Sequence, residues 1–84
     1  MYKYSKALDE VTDELRRLKA LCDDPDHPFG SLQSVHQGYG LLLEELDELW
    51  DEIKKKNDLR NPKAMREEAK QLAALAIRFM TDLT

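Results

Sequence analysis

The chain has one cysteine, three glycines and three prolines in 84 residues, and aromatic residues make up only 7% of it. A lone Cys22 cannot close an internal disulfide. It continues an apolar stripe and reads as an ordinary apolar residue of a reducing compartment. So little glycine and proline fits poorly with the many turns of a β-sandwich. No run of roughly 18 apolar residues occurs, which excludes a membrane-spanning helix. The opening YKYSKALDE lacks the apolar stretch of a signal peptide. Positive charge is not in excess either. Thirteen basic residues are scattered among 17 acidic ones, for a net charge of −4, and they form no stripe. Nucleic-acid binding through phosphate contacts is therefore not expected, although a free nucleotide held through a metal ion stays open. The expectation is a soluble, cytoplasmic protein. There is no P-loop, no H-E-x-x-H and no nucleophile beside a plausible base.

What the sequence does contain is amphipathic helix. Hydrophobic residues make up 42% and charged residues 36%, and the length suits a single domain over residues 1–84. Tyr4, Leu8, Val11, Leu15, Leu18 and Cys22 are spaced four, three, four, three and four apart, predicting a helix over about 2–21. Asp9, Glu10, Asp13, Glu14, Arg16, Arg17 and Lys19 are assigned to its other faces. The stretch DDPDHPFG, Asp23 to Gly30, breaks the chain. His27 within it is either a surface residue or a metal ligand. A second helix is predicted over about 32–56, with Ser34 and Gln37 as a capping box. Gly38 and Gly40 in its early turns suit close approach by another group, or a bent first turn. Asn61 as N-cap and Pro62 at the first helical position open a third helix, predicted over 62–83. The fold class is all-α, and the short connections favour antiparallel neighbours.

Six carboxylates fall in the nine residues from Glu44 to Glu52. At about 100° per residue, Leu49, Leu42, Ile53, Leu46, Tyr39, Trp50 and Leu43 share one arc of the second helix. Glu45, Glu48 and Glu52 form a ridge along one edge of that arc, where like charges repel unless a cation sits among them. On the third helix Glu68 falls inside the apolar arc, between Leu75 and Phe79. A carboxylate there is costly unless it is paired, bound to metal, or able to reach out to solvent near the helix start. Three or more such acids are expected to bind Mg²⁺ or Mn²⁺. Trp50, at the edge of its stripe, reads as a core or interface residue or as a platform for a base. His36, at the start of the acidic helix, either extends the site or is a partly exposed first-turn residue. Three short helices cannot cover their own apolar stripes, so a homodimer or a dimer of dimers is expected, with the second and third helices in the interface.

Glu44 to Ile53, EELDELWDEI, resembles the first signature helix of the MazG-type all-α nucleoside triphosphate pyrophosphohydrolases. That helix carries an E-x-x-E motif, here Glu45-Leu46-Asp47-Glu48. The family's second motif, E-x-x-D, lies on a later helix, and Glu68-Ala69-Lys70-Gln71 occurs at a compatible spacing. The resemblance spans roughly residues 36–83. It implies a MazG-like fold in which three-helix subunits pair into a four-helix-bundle core, as a homodimer or homotetramer. It also implies a Mg²⁺ site of Glu45, Glu48, Glu68 and Gln71, with Glu44 or Glu52 orienting water. Its substrate would be a nucleoside triphosphate, cleaved to the monophosphate and pyrophosphate. His36, Trp50 and Arg78 would lie on the substrate, Arg78 standing where the family often keeps asparagine or lysine. The sequence departs from the pattern at Gln71, an amide where the family has aspartate, and this implies low or absent activity. The alternative is a non-catalytic helical module of the same fold, acting in assembly or regulation.

Overall fold

A computed structural model describes residues 2–22 and 31–84. Three helices follow in order: α1 (Ser5–Cys22), α2 (Val35–Ile53) and α3 (Pro62–Leu83). No strand occurs among the described residues, and no described helix is long and apolar enough to cross a membrane. The break at Asp23–Gly30, with His27, lies outside the described residues.

Local chemistry sets the helix starts. Ser34 caps α2 by accepting the Gln37 N–H at 3.0 Å, while the Gln37 side chain reaches back to accept the Gln33 N–H at 2.6 Å. This is a capping box displaced by one residue on its return bond. Asn61 caps α3 by accepting from the N–H groups of Lys63 and Ala64, and Pro62 follows at a position that needs no donor. Three boundaries differ from the sequence expectation. The first helix begins at Ser5 rather than near residue 2, and the second begins at Val35 rather than near residue 32 and ends at Ile53 rather than near residue 56. Lys54 caps α2 there and its N–H bonds the Trp50 carbonyl, so the lysines follow the helix instead of forming its last turn.

α3 is the central element, packing against both α1 and α2. Glu68 faces Glu45 and Glu48, Gly38 meets Phe79 and Leu83, and the Leu32 N–H donates to Asp82 at 2.9 Å. As the residue number rises on one side it falls on the other, so α2 and α3 are antiparallel. Against α1 the sense reverses: Glu10 pairs with Arg66 and Glu14 with Lys70, so α1 and α3 run parallel. α1 and α2 do not pack on each other among the described residues. The antiparallel rule thus holds for α2 and α3, and not for α1 and its actual neighbour.

The interior is small. Only Leu32, Ala74 and Leu75 are buried apolar side chains among the described residues. The radius of gyration is 14.3 Å, whereas a compact domain of this length has roughly 12 Å. Gly38 is buried because α3 comes close: a Cβ there would lie 2.6 Å from the Phe79 ring and 2.8 Å from a Leu83 methyl carbon. Gly40 has open space beside it, so only one of the two glycines serves a close approach.

Two findings concern faces. Tyr39, Leu43, Leu46, Trp50 and Ile53, which share the apolar arc of α2, are exposed in the single chain. Among the described helices α2 packs only on α3, and it turns Gly38 and Glu45 toward it. Glu14, assigned to an outer face of the first helix, is buried. It stands three residues after Val11 and four before Leu18, at the edge of the seam, where basic groups from α1 and α3 receive it.

Candidate metal centre

The α2–α3 contact brings three carboxylates together. Glu45 and Glu48, three residues apart on α2, share one side of the helix. Glu68 enters from α3, and one oxygen from each of the three lies within 4.8 Å of the others. Glu45 and Glu68 are half-buried, Glu48 exposed. One oxygen of Glu45 and one of Glu68 (Oε2 in each) are shut off from solvent and have no hydrogen-bond partner. Burial, first, pushes both of these carboxyls above the ordinary glutamate range. Repulsion from Glu48 and the hydrogen bond it offers to a protonated neighbour act in the same direction, as do Glu44 and Glu68 on Glu45, and Glu52 and Glu67 on Glu68.

A hard divalent cation fits this donor set. Oxygens bound at about 2.1 Å around an octahedral ion lie about 3.0 Å apart when adjacent and about 4.2 Å apart when opposite. A group already within 4.8 Å needs only small side-chain movements to close on one ion. A cation among the three carboxylates would offset their mutual repulsion.

The other residues singled out in the sequence are dispersed around this trio. Glu52 is near enough to act on Glu68, and it also pairs with Lys55 at 2.9 Å. Glu44 is exposed and acts on Glu45. The Gln71 amide donates to Glu67 on its own helix at 3.3 Å. Gln71, Glu45 and Arg78 all line a groove of about 560 Å³, with Glu14, Arg17 and Leu75 among its other walls. His36 and Trp50 are exposed. Counted at about 100° per residue, they point roughly 180° and 140° around α2 from Glu45, away from the trio.

The sequence reading missed a second polar cluster, on the α1–α3 side. Glu14 receives Arg17 through two nitrogens, at 2.6 and 3.3 Å, and Lys70 stands 3.8 Å away. Lys70 in turn holds Glu67 at 2.8 Å. The Arg17 hydrogen bond holds the Glu14 carboxyl below the usual range despite burial, and Lys70 does the same for Glu67. The signal was present in the i, i+3 spacing of Glu14 with Arg17 and of Glu67 with Lys70.

Fold and site together define an all-helical protein with a carboxylate cluster between two antiparallel helices. No family model, no curated protein and no solved structure matches the chain.

Proposed function

We propose that the protein is a MazG-like, Mg²⁺- or Mn²⁺-dependent nucleoside triphosphate pyrophosphohydrolase, or a nucleotide-binding homologue of one with weakened activity. The observation that carries this reading is that Glu45, Glu48 and Glu68 converge across two helices, while Glu45 and Glu68 each also keep one buried oxygen without a partner. A solvated acidic face would keep its oxygens in water. Glu45, Glu48 and Glu68 hold the cation in this reading, with Gln71 as an auxiliary ligand after its amide turns from Glu67. The bound cation supplies positive charge against the phosphates. Glu52 or Glu44, next to the trio, accepts a hydrogen bond from the attacking water and orients it. Arg78 and Arg17, on the groove that Glu45 also lines, offer guanidinium groups to phosphate oxygens. His36 and Trp50 reach a substrate only after rearrangement. The active unit is a homodimer or homotetramer with a four-helix-bundle core. Water adds to the α-phosphorus and pyrophosphate leaves, giving a nucleoside monophosphate.

A second reading, a non-catalytic helical module for assembly or regulation, is favoured by the Gln71 amide, which adds no charge to the cluster and bonds Glu67 instead. Pyrophosphate release from a panel of triphosphates with Mg²⁺ or Mn²⁺ separates the two. Wild type is expected to bind nucleotide and turn over slowly, and Gln71→Asp to turn over faster, because it restores a fourth carboxylate. No release from either variant, with no nucleotide bound, leaves the helical module.

A further inference from the structure

α2 leaves a continuous apolar seam uncovered. Val35, Tyr39, Leu43, Leu46, Trp50 and Ile53 are all exposed, from 37% at Ile53 to 65% at Tyr39. Their spacing of four, four, three, four and three keeps them within about 80° of the helix surface. The seam reads nearly the same from either end. β-Branched Val35 and Ile53 are at its ends, aromatic Tyr39 and Trp50 come next, and Leu43 and Leu46 flank its centre. A two-fold interface requires such a pattern, since residue i must meet residue j and j must meet i.

Charge selects the orientation. Residues 35–43 hold no carboxylate, lysine or arginine, whereas residues 44–52 hold six carboxylates. Two α2 helices packed in parallel would crowd both acidic halves together. Packed antiparallel, each acidic half meets the uncharged half of the other, next to its helix N-terminus, where negative charge is favoured. The chain as a whole exposes 6563 Å², more than the roughly 5,200 Å² of a compact monomer of 9.8 kDa.

We infer that a second copy of this chain docks on the α2 seam in antiparallel two-fold register, with Leu43 against Leu46 of the partner and Tyr39 against the partner's Trp50. This deepens the self-association part of the reading above and does not depend on its nucleotide or metal part. Light scattering on the full chain at micromolar concentration should give at least twice 9.8 kDa. Leu43→Glu and Leu46→Glu should each return it to a single-chain mass while circular dichroism keeps its helicity. Orientation is tested by oxidative cross-linking with Cys22→Ser in every chain. Mixed Tyr39→Cys and Trp50→Cys chains should cross-link, and neither should do so alone. A wild-type mass of one chain overturns the inference, as does association that survives both glutamate variants. Cross-linking of each cysteine variant with itself overturns it too, since that is the parallel pattern. Nucleotide assays are independent of all these readouts, so a chain that fails to bind nucleotide can still pass them.

Discussion

α3 carries a buried glutamate problem on each of two sides, and the two are solved differently. Toward α1, Glu14 is more deeply covered than any other charged side chain described, yet Arg17 and Lys70 hold it and its proton affinity falls. Toward α2, Glu45 and Glu68 are only half-buried, yet each keeps an oxygen without a partner and its proton affinity rises. The cost of a buried carboxylate is thus set by what faces it rather than by depth alone. A cluster with its cations supplied in the chain holds helices together. A cluster without them costs stability unless protons or a metal ion neutralise it.

The largest expected effect is at the satisfied site. Glu14→Ala leaves Lys70 partly buried without one of its carboxylates, and should cost about 2 kcal/mol, less than a fully buried pair because Arg17 can rehydrate. That is a fall in Tm of roughly 10 °C for a domain of this size, with or without Mg²⁺. A loss under about 0.5 kcal/mol would make Glu14 no better than a surface ion pair.

The unsatisfied site should respond in the opposite sense. Glu68→Gln removes repulsion and is expected to raise Tm by a few degrees in chelator, on the order of 1 kcal/mol. Wild type should gain a comparable amount from a cation at ten times its Kd, about 1.4 kcal/mol by mass action. The variant should lose that gain. Equal melting of wild type in millimolar Mg²⁺ and in chelator would reduce the trio to a solvated face.

Acidity adds a further check in chelator. Because Glu45 and Glu68 are raised, their contribution to stability is present below the ordinary glutamate value of 4.5 and lost as pH climbs through their folded values. Glu14 and Glu67 are lowered, so theirs is present above 4.5 and lost as pH falls. The Glu68→Gln advantage in Tm should therefore be largest near pH 7 and vanish toward pH 4.5. An advantage that grows on acidification would contradict this account of the cluster. The smallest effect should come from Arg66→Ala, which breaks the half-exposed pair with Glu10 and should cost under about 0.5 kcal/mol.

Much of this was legible in the sequence because it is local. Ser34, Asn61 and Pro62 mark helix starts by satisfying, or not needing, the first N–H groups, and the structure uses all three. Helical phase singled out Glu68 as an acid on an apolar face, and the i, i+3 spacing put Glu45 beside Glu48. The structure brings these three together. Phase was less informative about which side of an arc is covered. Leu49 and Trp50 look equally apolar on a helical wheel, yet Trp50 is exposed and Leu49 is half-buried.

The sequence by itself determined three amphipathic helices, where two of them start, and the acidic ridge of α2, since each follows from the chemistry of residues within a few turns. Only the tertiary structure decided that α3 lies between the other two, that α1 runs parallel to it, and that Glu14 is buried with basic partners on both helices. It also decided that Gly38 rather than Gly40 takes the close approach of Phe79. These outcomes depend on which helix faces which, and that is set by summed packing and charge pairing between segments some 40 to 60 residues apart, which no local spacing records.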